Sequence, residues 1–184
     1  MALPTRRFRP VIKQAARLFG LPYLTVYPPA VWLEAMILQE SSGEPKARRY
    51  EPALDRGSSQ RPDQDAPGQD DLMFEDDASY GLMQLLGSTY KDVLGIPQAS
   101  RVPFNVLFHP IVNIGIGCLY LAKLVAATDN SAARALCRYN GGGLGDQLQA
   151  DGRFRRQEYV DAILRRCPLV EDDLALEVAQ GTGL

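Results

Sequence analysis

Residues 28–43, PPAVWLEAMILQESSG, are the stretch of sequence that decides the fold. Pro28 and Pro29 can occupy the start of a helix, because proline lacks the N–H group that the first turn of a helix cannot pair. The residues that follow are largely apolar, and the two serines and the glycine at 41–43 then end the helix. The pattern predicts a largely apolar helix that carries Glu40 on its last turn.

The rest of the chain predicts further helices and little else. Apolar residues recur at helical spacing from Pro10 to Phe19, where Gly20 stops the pattern. A continuous apolar stripe runs from Pro110 to about Thr128. Convincing strand patterns are scarce, with at most a short extended piece at 23–27. The sequence therefore predicts a mainly α protein, and further helices are expected before Gly95, after Ser131, at 157–166 and at 171–179, the last two separated by Pro168.

Length and charge indicate one globular domain and exclude several classes of protein. A chain of 184 residues, 46% of them hydrophobic, can fold without disulfides or metals. A net charge of −2 argues against a general nucleic-acid binder, which would be strongly basic. No apolar run of about 18 residues occurs, and the basic residues near the N-terminus precede no apolar run. We expect no transmembrane segment, no ordinary signal peptide and synthesis in the cytoplasm.

Three cysteines, Cys118, Cys137 and Cys167, are too few for a disulfide framework and are expected to be reduced core residues. Either of the first two could in principle act as a nucleophile with the single histidine, His109. However, Cys118 lies on the apolar stripe and His109 directly precedes a helix start. Burial and capping are therefore the preferred interpretations.

The segment 42–78 has no periodicity and is predicted to be a loop. Connections longer than about 12–15 residues are uncommon in compact domains, and they tend to be lids or insertions. Its second half, residues 63–75, contains five acidic residues and no basic one. The spacing of Asp63, Asp65 and Gly68 is similar to the opening of a calcium loop, but Pro67 and Phe74 stand where ligands should be. No metal is expected.

Glu40 is the first candidate for chemistry. A carboxyl at the end of a helix lined by Trp32, Met36 and Ile37 can be partly desolvated, which would raise its pKa toward the range of a general acid. Without further context, a solvated residue at a helix end is the alternative.

Four sequence blocks, which follow one another along the chain, favour the catalytic interpretation of Glu40. The blocks are Ala35–Ser42 (AMILQESS), Tyr80–Leu85 (YGLMQL), His109–Leu121 with its Asn113-Ile114 and Gly117, and Tyr139–Gly142 (YNGG). Together they resemble the lytic transglycosylases (SLT-like domains) of the goose-type lysozyme-like superfamily. The resemblance covers roughly residues 31–164, and it implies a mainly α, lysozyme-like single domain whose cleft holds a glycan strand of peptidoglycan.

The resemblance also implies roles for individual residues. Glu40 matches the catalytic glutamate, which protonates the glycosidic oxygen and then accepts the proton of the muramic 6-hydroxyl, so that a 1,6-anhydro ring forms without water. Tyr139 matches a tyrosine whose hydroxyl reaches that acid. The residues that match substrate-binding positions are Ser41, Gly81, Met83, Gln84 and Asn140. Ser41 could equally cap the helix, and packing is an alternative for Met83.

One departure from the family pattern concerns spacing. Glu40 and Gly81 are 41 positions apart, farther than is usual in the family, which indicates an insertion in the acidic loop. If a carboxylate of that segment activates water, the outcome becomes hydrolysis. The candidates are Glu51, Asp55, Asp70, Asp71, Glu75, Asp76 and Asp77.

The prediction is therefore a single domain over 1–184, with a core at about 28–166 and a loop insertion at about 51–77. It is expected to cleave the β-1,4 bond between N-acetylmuramic acid and N-acetylglucosamine, with no cofactor and with peptidoglycan glycan strands as partner. A hydrolytic goose-type lysozyme and a non-catalytic phage virion protein are the alternatives. The lack of an export signal favours a bacteriophage origin, as a lysis enzyme released through a holin pore or as a virion component acting on the cell wall.

Overall fold

The computed structural model describes residues 2–50, 77–98, 100 and 102–180. Within these residues the chain is mainly helical, with a small sheet on one side. The helices are α1 (Arg9–Leu18), α2 (Pro29–Ser41), α3 (Gly87–Leu94), α4 (Pro110–Ala126), α5 (Ala132–Gly141), α6 (Gln157–Leu164) and α7 (Cys167–Ala179). Short 3₁₀ turns lie at Arg6–Phe8, Phe104–Phe108 and Gly142–Leu144.

Most helices begin and end where their local sequence requires. Proline stands in the first turn of α1, α2 and α4, and Ser131 caps α5 by accepting from the backbone N–H of Arg134. Helix α7 begins at Cys167, four residues before the expected start, because Pro168 lies within its first turn instead of before it.

A three-stranded antiparallel sheet was not predicted. Its strands are β1 (Arg48–Tyr50), β2 (Ala78–Tyr80) and β3 (Leu85–Leu86), in the order β1-β2-β3. Strand β1 lies inside the segment predicted to be a loop, which corrects that prediction. The β1–β2 ladder places Tyr50 opposite Ala78. A short extended piece was expected at 23–27. The structure has a single antiparallel β-bridge there, between Leu24 and Tyr27.

The predictions made for residues 51–76 lie outside the described residues. These are the acidic loop, the calcium motif, and the second carboxylates Glu51, Asp55, Asp70, Asp71, Glu75 and Asp76. Asp77, the remaining candidate carboxylate, is described and is buried.

Helix α2 runs through the main hydrophobic core and packs against α1, α6 and α7. Seven successive residues, 31–37, are buried, so the helix is enclosed on all sides before it emerges at Leu38. A second, smaller cluster joins the sheet to the 3₁₀ turn before α4 and includes Tyr80, Phe104 and Leu107. Tyr139 packs against both clusters.

An ion-pair centre fastens the N-terminus to α2 and α7. Arg9 is only 4% exposed, and its guanidinium donates to Glu34 at 2.8 Å, to Asp173 at 2.8 Å and to Glu177. The hydroxyl of Thr5 donates a further 2.7 Å hydrogen bond to Glu34. Buried charges are tolerated when they are paired and hydrogen-bonded in this way.

The cysteine prediction is confirmed, since Cys118, Cys137 and Cys167 are free and buried. Burial raises the pKa of the Cys118 thiol to about 12, which keeps it protonated, and His109 lies exposed before α4.

Among the described residues, no helix is both long and apolar enough to span a bilayer.

Candidate active site

Glu40 lies in the last turn of α2, where the helix leaves the core. Its side chain is half-buried, beyond the fully enclosed residues 31–37. Ser41 closes the same turn, because its hydroxyl donates to the carbonyl oxygen of Ile37 at 3.1 Å and accepts from the N–H of Gly43 at 3.2 Å. Of the two interpretations left open for Ser41, the structure shows the cap.

Tyr159 on α6 holds the Glu40 carboxylate. Its hydroxyl donates to Oε1 of Glu40, and the tyrosine is 6% exposed. Burial raises the pKa of Tyr159 well above its ordinary value, and the charge of Glu40 raises it further, while Arg49 opposes the shift. The phenol therefore stays protonated and keeps its hydrogen bond donor. Tyr159 was not predicted as a site residue from the sequence, although a buried tyrosine usually requires a partner for its hydroxyl.

Tyr139 stands beside the carboxylate but bonds elsewhere. Its hydroxyl donates to the carbonyl oxygen of Met83 at 2.7 Å, instead of reaching Glu40 as the resemblance implied. Burial raises the pKa of Tyr139 well above its ordinary value, with the charge of Glu40 as the next contribution, so the two side chains are close. The ring lies 5.3 Å from that of Tyr120. Tyr139 therefore joins α5 to the loop that carries Met83.

In the loop after β2, the backbone conformation and the close neighbours at position 81 allow only glycine. Gly81 has φ +74°, and an added Cβ would lie 2.2 Å from the carbonyl oxygen of Leu107 and 2.4 Å from Nδ2 of Asn113. Asn113, fully buried on α4, donates to the carbonyl oxygen of Tyr80 at 2.9 Å and accepts from the N–H of Met83 at 2.7 Å. This side chain fixes both sides of the turn, a role that was not predicted from the sequence.

Met83 and Gln84 complete this loop. Met83 is fully buried with its sulfur against Gly117 of α4, an arrangement that favours packing over contact with a ligand. Gln84 has a positive φ of 47°, and its side-chain Nε2 donates to the carbonyl oxygens of Gly81 at 2.8 Å and Ala47 at 3.2 Å. Among the described residues Oε1 of Gln84 accepts no hydrogen bond, so it is the part of this amide available to a ligand.

Asn140 follows Tyr139 at the end of α5 and is exposed. The structure thus places Glu40, Tyr139 and Tyr159 together, and it links the Gly81–Gln84 turn to them through the Tyr139–Met83 hydrogen bond. In the described part of the chain, no group of three or more histidine, cysteine or acidic side chains could hold a metal ion.

This arrangement suits proton transfer. A half-buried carboxyl held by a tyrosine hydroxyl can donate a proton, and the hydroxyl then stabilises the carboxylate left behind. The rigid turn at 81–84 and the exposed Asn140 supply backbone and amide groups that could bind a polar ligand beside it.

Comparison with known proteins identifies relatives of this fold. Residues 27–160 match the family model of the transglycosylase SLT domain. The structure is similar to that of an inactive variant of the lytic transglycosylase Slt from Pseudomonas aeruginosa, with 22% sequence identity and a TM-score of 0.59. That likeness covers 99% of this chain and 25% of the other, so the chain spans about a quarter of the length of that protein. No curated protein is significantly similar in sequence.

Proposed function

The chain belongs to the transglycosylase SLT domain family, and from this premise we propose that it is a peptidoglycan lytic transglycosylase. The bond cleaved is the β-1,4 bond between N-acetylmuramic acid and N-acetylglucosamine, and the product carries a 1,6-anhydromuramic end. The predicted lysozyme-like, mainly helical fold is confirmed by the family match and the structural likeness.

The proposed reaction needs one carboxyl group that gives up a proton and recovers it. Glu40 protonates the glycosidic oxygen as the bond to the muramic C1 breaks. The muramic 6-hydroxyl then attacks C1, and its proton passes to Glu40, which restores the acid. No water is consumed, and no cofactor takes part.

Tyr159 serves this cycle by stabilising the intermediate charge state. Its hydroxyl donates to Glu40, and a donor favours the ionised form of a carboxyl. The carboxylate exists between the two proton transfers, so the hydrogen bond lowers the energy of that stage. The Tyr159–Glu40 contact at the end of a buried helix is the single observation that carries the proposal.

For substrate binding we propose Gly81, Gln84 and Asn140. Gln84 offers Oε1 to an N-acetyl N–H or a sugar hydroxyl, and Gly81 allows a sugar to approach the backbone. Asn140 is exposed beside Tyr139. Ser41 and Met83 support the site from behind, through the helix cap and the buried packing described above.

The proposed place of action is the bacterial cell wall. The bacteriophage setting, as a holin-released lysis enzyme or a virion component, stays a prediction from the sequence.

The decisive experiment is mass spectrometry of the sugar ends released from purified peptidoglycan. We expect 1,6-anhydromuramic ends, which are one water lighter than the reducing ends that hydrolysis leaves. Reducing ends would assign a muramidase instead. A Glu40→Gln variant should release neither, because an amide cannot protonate the leaving oxygen. Undiminished release by that variant would refute the site.

A further inference from the structure

The N-terminal side of the molecule carries a groove that the proposed reaction does not use. It has a volume of about 910 Å³ and lies between the first residues, α1 and α7. Its apolar lining includes Leu3, Pro4, Leu174 and Val178. A second concavity of about 590 Å³ continues it along α1 and shares Pro10 and Lys13 with it. We call the two together the α1 groove.

The α1 groove is positively charged. Residues 2–33 include five basic side chains and no acidic one, since the first acidic residue is Glu34. Arg6 and Arg9 pair with Asp173, and Arg9 also pairs with Glu177, which lines the groove as well, so these charges are balanced inside the fold. The remaining three are exposed and form no ion pair with any described residue; they are Arg7, Lys13 and Arg17.

Exposed apolar side chains stand at both ends of this charged surface. Leu18 is 74% exposed at the end of α1, and Val178 is 73% exposed at the end of α7. Scattered single apolar residues need no explanation, but here they flank a concave surface that also has apolar walls. The surface therefore combines unpaired positive charge with apolar contact area.

From this combination we propose that the α1 groove binds an acidic peptide segment of a partner protein whose aspartates or glutamates alternate with apolar side chains. Lys13 and Arg17 supply charges that complement the acidic side chains. The apolar walls accept the side chains between them. The ten residues of α1 span about 15 Å, the length of about five extended peptide residues.

The shape of the surface favours a peptide over a lipid bilayer. A bilayer is flat and binds a convex, protruding apolar face, whereas Leu3 and Leu174 lie half-buried in the walls of a concavity. The inference goes beyond the proposed reaction and does not depend on it, because the groove adjoins the Glu34 end of α2 and not Glu40.

The test is fluorescence anisotropy with a labelled synthetic peptide in which aspartates alternate with leucines, added to the full chain at low and at high salt. We expect binding that weakens with salt, and no binding of the matched peptide that carries lysines in place of aspartates. The double variant Lys13→Glu/Arg17→Glu should weaken binding at least about tenfold.

The double variant Arg155→Glu/Arg165→Glu provides the control, because both arginines are exposed outside the groove and the pair undergoes the same change of charge. It should bind the peptide as the wild type does, and both variants should keep the wild-type circular dichroism and thermal midpoint. Val178→Ser, which changes no charge, tests the apolar wall and should also weaken binding.

Three outcomes would overturn the proposal. They are equal peptide binding by the Lys13→Glu/Arg17→Glu variant and the wild type, no peptide binding at low salt, and binding to phosphatidylglycerol vesicles in place of the peptide. The last outcome would assign the surface to a membrane.

Discussion

Helix α2 carries two glutamates in opposite situations. Glu34 is 2% exposed and accepts charged and neutral hydrogen bonds from Arg9 and Thr5. Glu40, six positions later, is half-buried and accepts from the hydroxyl of Tyr159. Glu34 is enclosed in the ion-pair centre, where Arg9 joins it to Asp173 of α7. Glu40 lies instead at the half-buried end of α2, where a ligand can reach it, so of the two carboxyl groups it is the one placed to exchange a proton with a substrate.

The difference teaches that burial alone does not mark a catalytic carboxyl. Glu34 is the more buried of the two, yet the contacts described for it are with Arg9 and Thr5, which hold the N-terminus against α2. The position on the helix separates a carboxylate that stabilises the fold from one that a ligand can reach.

The same isosteric change at both positions gives the largest expected effect. Glu40→Gln should reduce the rate of wall cleavage by about three orders of magnitude, because the general acid is lost, and should leave the thermal midpoint almost unchanged. Glu34→Gln should lower the free energy of unfolding by about 2 kcal/mol, since Arg9 loses a charged partner in a buried site.

Turbidity loss of purified peptidoglycan measures the first effect, and urea unfolding followed by circular dichroism measures the second. The Glu34→Gln variant, where it is folded, should cleave peptidoglycan at the rate of the wild type. If Glu34→Gln abolished cleavage while remaining folded, the separation between the two carboxylates would be lost.

A smaller effect is expected when the donor to Glu40 is removed. Tyr159→Phe keeps the packing of the ring but deletes the hydroxyl, and we expect kcat to fall roughly tenfold with little change in KM. Steady-state rates on soluble glycan fragments give both constants. Tyr139→Phe is the matched control, because that hydroxyl bonds to the Met83 carbonyl instead of the acid. A larger loss of kcat in the control would indicate that Tyr139, and not Tyr159, supports Glu40.

The smallest expected effect concerns the stability of the fold at acidic pH, and it arises in the ion-pair centre that contains Glu34. Burial raises the pKa of Asp173, but hydrogen bonds from Arg6 and Arg9 outweigh it and hold that pKa below its ordinary value. Its contribution to stability is therefore present above about pH 4 and is lost as the pH falls through the folded-state pKa. Urea unfolding of the wild type and Asp173→Asn should show a difference at pH 7 that shrinks below pH 4. A difference independent of pH would contradict this assignment.

Most helices could be predicted from the sequence because their signals are local. Proline at a first turn and an uninterrupted apolar stripe located α1, α2 and α4 within two residues at each end. Strand β1 could not be found, since three polar or aromatic residues carry no alternation and pair only with β2. The start of α7 was misplaced because proline both separates helices and opens them.

The site was predictable only in part, because some of its contacts join residues that are far apart in the sequence. Glu40 was located from its place at a helix end and from its resemblance to a known family. Tyr159 lies 119 positions away and meets Glu40 only through the packing of α6 on α2. Arg9, which resembled part of a basic N-terminus, proved to be buried, because its acidic partners come from α2 and α7.

The ladder between β1 and β2 brings two chain positions that are far apart in sequence next to each other. Tyr50 faces Ala78 in an antiparallel pair, so these two backbone positions lie about 5 Å apart. The entropic cost of closing a connection rises only slowly with its length. A connection between these two positions can therefore change in length at a small cost in folding free energy, which makes the junction a natural place to insert a foreign sequence.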